Sequence, residues 1–142
     1  MNEQNLQRFQ LALTVLRVLI GIIFMAHGYQ KFFEYTIPGT TGAFGQMGVP
    51  LAGVIAPVVA TLELVGGLAL VTGFLTRITA GLLALNMLGA MVLVHLKGGF
   101  FAPNGIELPL SLMASTVALA LGGAGAFALD GLRKREQQVV RA

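Results

Sequence analysis

Apolar residues run almost unbroken through four windows of this 142-residue chain, Phe9–Gln30, Leu51–Leu75, Ile78–Leu96 and Leu108–Leu129. Each is close to the roughly 20 residues a helix needs to cross the hydrocarbon core of a bilayer. The pattern predicts an all-α membrane protein, an antiparallel bundle of four transmembrane helices over about 9–33, 51–75, 78–96 and 108–129. This membrane domain, 9–130, lies between a polar tail at 1–8 and a basic tail at 131–142.

The connections carry the breakers. The first helix ends in His27-Gly28-Tyr29-Gln30-Lys31-Phe32-Phe33, an aromatic and cationic run suited to a membrane interface. Glu34 to Pro50 holds four glycines and two prolines and cannot continue the helix. Within it, Thr41 is placed to cap a short turn carrying Phe44 and Met47 as a partial outer lid. Gly73-Phe74-Leu75-Thr76-Arg77 is a tight turn that forces its flanking helices into a hairpin, and 98–105 forms a second outer loop. The last helix begins near Pro109, with Ala114, Ala118, Gly122 and Ala126 as a predicted packing stripe.

Composition narrows the function. With 56% hydrophobic and 11% charged residues, the chain departs from soluble domains, and no segment outside the spans is long enough to bury its own core. Zero cysteines exclude a disulfide, a thiolate nucleophile, a four-cysteine iron–sulfur cluster and c-type haem attachment. A net charge of +3 without a clustered basic face argues against nucleic acid; anionic lipid headgroups are the expected partner of Arg133, Lys134 and Arg135. Arg8, Arg17, Arg77, Arg133, Lys134, Arg135 and Arg141 fall on one side of the four predicted crossings, and only Lys31 and Lys97 on the other. That bias predicts a multi-pass inner-membrane protein with both termini cytoplasmic. Arg17 interrupts the first apolar stretch and no A-x-A-like site follows, so this span is expected to be a retained anchor.

Glu63 is the most informative residue. It lies near the middle of the second span, where an exposed acid costs about 2.5–3.5 kcal/mol, so it is expected to face the bundle interior. Ala56, Ala60, Gly66, Gly67 and Leu70 share its face. Depth places Asn86 level with it and Arg17 about one turn lower, predicting a buried layer of Arg17, Glu63 and Asn86. Such a layer serves either as an interhelical clamp or as a proton or quinone-headgroup site. His27, Tyr29, Lys31 and His95 form a candidate outer pocket for an anion or a quinone carbonyl, with Glu107 at its rim. A haem held by His27 and His95 is disfavoured, because nine residues at 100° each turn His95 away from Asn86. No phosphate loop, nucleophile elbow or zinc-protease motif occurs, and no intrinsic metal or cofactor is expected.

Arg17 with Gly21, Gly28-x-x-Lys31, Glu63-x-x-Gly66-Gly67, Gly73-x-x-Thr76-Arg77 and Gly123-x-Gly125 before Leu129-Asp130 occur in an order that resembles the DoxX family of small membrane proteins. The resemblance covers about Arg17 to Asp130. It implies a four-helix membrane fold and an accessory or anchor subunit of a quinone-linked oxidoreductase complex, with redox subunits as partners. Two other classes stay open: a small proton-coupled transporter using Glu63, most naturally a homo-oligomer, and a non-catalytic membrane scaffold.

Overall fold

The computed structural model describes residues 2–132, which form an all-helical structure. Helix α1 spans Glu3–Tyr29 and continues through a π-helical turn at Gln30–Glu34; α2 spans Ile37–Gln46 and α3 Ala52–Thr72. Helix α4 spans Thr76–Ala90 and continues through a π turn at Met91–His95 and a 3-10 turn at Leu96–Gly98; α5 spans Glu107–Gly122. Three of these, Glu3–Glu34, Ala52–Thr72 and Thr76–Gly98, are long and apolar enough to cross a membrane. The fourth apolar helix, Glu107–Gly122, has 16 residues.

Several boundaries differ from those the hydropathy pattern predicts. The polar start is part of α1, because the Asn2 side chain accepts the Asn5 N–H and caps the helix. The segment after α1 folds into α2 despite its glycines, with Thr36 rather than Thr41 as its cap: the Thr36 side chain accepts the Gly39 N–H, and Pro38 occupies the first turn. Helix α5 stops at Gly122, not near 129, because Gly123 and Gly125 have positive φ (92° and 72°) and turn the chain back across the inner end. Ala126 therefore lies off the helix, and Ala114 and Ala118 face outward; the buried face of α5 is Pro109, Leu112, Thr116 and Leu119. Of the basic tail, Arg133, Lys134, Arg135 and Arg141 lie outside the described residues.

Helix α1 packs chiefly on α3, and α4 on α5, with further contacts joining α3 to α4, α1 to α5 and α2 to α3. Small residues set the α1–α3 approach: a Cβ at Gly67 would lie 2.6 Å from the Gly21 carbonyl oxygen, and one at Gly28 would overlap the Leu64 backbone. Leu13, Ile20, Leu70, Ala80, Leu83 and Leu119 fill the core toward the α3–α4 turn, with Phe24, Met87 and Leu112 above them. The outward faces remain apolar, as at Leu19, Val58, Val65, Ile78, Leu85 and Leu121, each more than half exposed. A surface of that kind suits hydrocarbon rather than water.

The inner end is closed by Arg17, which is 1% exposed and whose five N–H groups all donate to main-chain carbonyls. Nε reaches Ala124 (2.7 Å), Nη1 reaches Leu70 (2.9 Å) and Val71 (2.5 Å), and Nη2 reaches Ala126 (3.1 Å) and Phe127 (2.8 Å). It thereby satisfies carbonyls at the end of α3 and in the non-helical return. The same return brings in Asp130, whose carboxylate accepts the N–H groups of Leu75 (2.7 Å) and Thr76 (2.9 Å). Leu75 is left-handed (φ 47°) and no side chain of its own stretch caps α4, so Asp130 caps that helix from 54 residues away.

Candidate functional site

Toward the other end, the helices enclose a cavity of about 440 Å³. Its walls are mostly apolar, from Phe24, Ile55, Val59, Met87, Leu93 and Leu112, and Phe44 of α2, with Met47 just after it, forms the outer cover. Its polar groups are His27, Lys31, Glu63, Asn86 and His95.

Glu63 is 4% exposed and lies on the buried face of α3 with Ala56, Ala60, Gly66, Gly67 and Leu70. Its Oε1 accepts the Asn86 Nδ2–H at 3.2 Å, and its Oε2 pairs with Lys31 Nζ at 2.5 Å. The structure thus brings Glu63 and Asn86 together but not Arg17. The guanidinium of Arg17 is bonded at Leu70 and Val71, two helical turns below Glu63, and has no donor left to offer it. The cation beside Glu63 is Lys31, expected at the rim. Its four-carbon stem, leaving the π turn at Gln30–Glu34, reaches inward while its main-chain carbonyl stays outside and accepts from Thr40 Oγ1 (3.1 Å). With the carboxylate paired, the cluster is neutral overall, so it offers hydrogen bonds rather than net positive charge to a ligand.

His27 is half-buried on the cavity wall, one turn before Lys31, and among the described residues its ring has no hydrogen-bond partner. His95 also lines the cavity, from the π turn that follows α4. The disagreement with the 100°-per-residue estimate has a physical cause. The π turn at Met91–His95, closed by the Leu96 N–H on the Met91 carbonyl, takes less angle per residue than an α-helix and brings His95 back inward. His95 Nδ1 lies 3.2 Å from the Asn104 carbonyl oxygen, which assigns Nδ1 as the protonated nitrogen and leaves Nε2 free to accept. Tyr29 is not part of the pocket; it is 52% exposed and stacks on Phe33 at 4.8 Å. Glu107 serves the outer loop, where its carboxylate accepts the Ala102 N–H at 3.0 Å.

Two contributors escaped the sequence reading. Phe24, 1% exposed, forms part of the inner wall of the cavity, and its signal was its place three residues before His27 on one helix face. Thr40, the buried residue of α2, ties the cover to α1 through the Lys31 carbonyl; it stands next to Thr41 in a glycine-rich stretch, and nothing in the pattern singled it out.

An all-helical chain with an apolar exterior and a buried, paired carboxylate beside a cavity is an integral membrane protein of the small helical class. The DoxX family model matches residues 12–96, and the chain belongs to the DoxX family. It is 38% identical to "Putative oxidoreductase CatD" of Bacillus subtilis over 86% of this chain and 87% of that protein. Identity is 34% to "Inner membrane protein YqjF" of Escherichia coli, over 86% of this chain and 92% of that protein. A membrane protein of Mycobacterium tuberculosis described as uncharacterized is 32% identical over 81% of this chain and 77% of its own length. No solved structure matches the chain.

Proposed function

We propose that the protein is the membrane subunit of a quinone-linked oxidoreductase, and that the outer cavity holds the quinone headgroup. The observation that carries this reading is the Lys31–Glu63–Asn86 cluster at the base of an apolar cavity large enough for a substituted ring. Lys31 has two N–H groups beyond the one shared with Glu63, and Asn86 has a second amide hydrogen, so both can donate to a quinone carbonyl. His27 is available to a second carbonyl or hydroxyl. When Lys31 turns to the ligand, the freed Glu63 carboxylate can take up a proton from water and give it to the reduced ring oxygen. Reducing a quinone to a quinol takes two electrons and two protons; with no cysteine in the sequence, the electrons are assigned to a reduced cofactor on a partner subunit. The CatD name supports an oxidoreductase class.

The same reading takes α5 as a fourth crossing in an antiparallel bundle. Its 16 residues span about 24 Å, a little short of the roughly 30 Å hydrocarbon core. Arg8, Arg17 and Arg77 lie toward the end opposite Lys31 and Lys97, which favours cytoplasmic termini. The deciding experiment is purification in mild detergent with identification of co-purifying proteins, followed by binding of decylubiquinone and menadione to wild type and Asn86→Leu. Quinone binding that weakens at least roughly tenfold in the variant supports the assignment. Absence of quinone binding together with proton-driven solute uptake in liposomes replaces it with a transporter; absence of both, with soluble enzymes still captured, makes the protein a scaffold.

A further inference from the structure

We infer that the cavity is loaded sideways from the bilayer, through a portal between the outer halves of α3 and α4, so that its ligand is a headgroup carrying an apolar tail. This rests on the quinone reading and adds the route and the form of the ligand. Helices α3 and α4 leave the Gly73–Leu75 turn in close contact, where a Cβ at Gly66 would touch the Thr79 and Leu83 side chains at 3.4 Å. Their outermost polar contact is Asn86 to Glu63. Beyond it, Val59 and Ile55 of α3 and Gly89 and Leu93 of α4 line the cavity from either side. A Cβ built on Gly89 meets nothing within 4 Å. Leu85 and Leu93 line the cavity while 65% and 43% exposed, which places them on its rim, in contact with both the interior and the lipid-facing exterior.

Two other approaches are occupied. Phe44 of α2, with Met47 and Val49 just after it, lies over the outer end, Val49 at 7% exposure. Below Glu63 the packed core and Arg17 fill the inner half. An uncharged rim suits an apolar chain, whereas a hydrated ion would lose its water shell there. A tail left in the portal also keeps its contact with lipid, so only the headgroup need be desolvated.

The chain has no cysteine, so Gly89→Cys provides a unique thiol that can be modified after folding. The protein is placed in lipid nanodiscs, and equilibrium binding of two radiolabelled quinones with the same ring is measured, menaquinone-4 delivered in the bilayer and menadione from water. The reference for both quinones is Gly89→Cys capped with a small methylthio group, which fills little space and keeps the thiol from adding to menadione. After reaction with a bulky maleimide, menaquinone-4 affinity should fall by roughly tenfold or more while menadione stays within about twofold. Equal loss of both overturns the portal, because the adduct then occupies the pocket rather than the doorway, and so does unchanged menaquinone-4 binding. If wild type binds neither quinone, the functional assignment fails instead.

Discussion

A buried lysine–carboxylate pair is asymmetric in what its two halves do when left alone. Removing Glu63 leaves the Lys31 ammonium without any acceptor it holds among the described residues, whereas removing Lys31 leaves Glu63 still bonded to the Asn86 amide. Glu63→Leu should therefore cost on the order of 3–5 kcal/mol, Lys31→Met clearly less, and the double variant should recover most of the loss. Thermal unfolding in detergent of the two single variants and the double reads the coupling; losses that simply add would show that the pair is not energetically joined. Arg17 makes a different prediction. Lysine offers three donors where arginine offers five, so Arg17→Lys loses at least two of these hydrogen bonds, worth about 0.5–1.5 kcal/mol each, even though Ala126 keeps the Thr14 hydroxyl and Leu70 the Gly73 N–H. An Arg17→Lys protein melting within a degree or two of wild type would contradict that count. These two cations also show where sequence reading stops. Depth along a helix located Glu63 and Asn86 at one level, but which cation reached the acid depended on side-chain length and on carbonyls 107 to 110 residues away, neither of which periodicity encodes.

At the level of helices, the glycines divide into those that set distances and those that do not. Gly28 meets the Leu64 backbone and Gly67 meets α1, so Gly28→Ala or Gly67→Ala forces α1 and α3 apart and should cost roughly 1–3 kcal/mol or more. Gly42, inside α2, has nothing within 4 Å of its built Cβ, and Gly42→Ala should leave stability unchanged or raise it by up to about 1 kcal/mol. Melting curves of the three variants test this directly, and a harmful Gly42→Ala would mean that α2 packs on something besides this chain. The long apolar helices were legible because hydropathy over about 20 residues dominates every local preference. Helix α2 was not, since its three interior glycines argue against a helix that Thr36, Pro38 and Thr40 nonetheless establish through capping and through a bond to Lys31. The π turns were equally hidden; nothing in Met91–His95 departs from α-helical composition, yet His95 lines the cavity from that turn.

For the molecule as a whole, the apolar exterior and the charge distribution together set orientation. In a chain without native cysteine, Gly42→Cys and Asn104→Cys should react with an impermeant maleimide added outside intact cells, and Gln137→Cys only after permeabilisation. Labelling of all three from one side would remove α5 from the membrane, and the opposite pattern would reverse the protein within it. The candidate cavity was partly foreshadowed, since Phe44, Met47, His27, Lys31 and His95 all line it. Its joining of the outer pocket to the midplane acid was not, because a single lysine bridges two groups that sequence depth keeps apart.

The return after Gly123 gives the protein a distinctive biogenesis. Arg17 enters the membrane with the first helix to be synthesised, yet three of its five acceptors, Ala124, Ala126 and Phe127, emerge at least 107 residues later. Throughout synthesis the first span carries an unsatisfied guanidinium, and the chain cannot settle until its last turn arrives. The same residue that seals the mature protein thus finds its last partners only when the end of the membrane domain has been made.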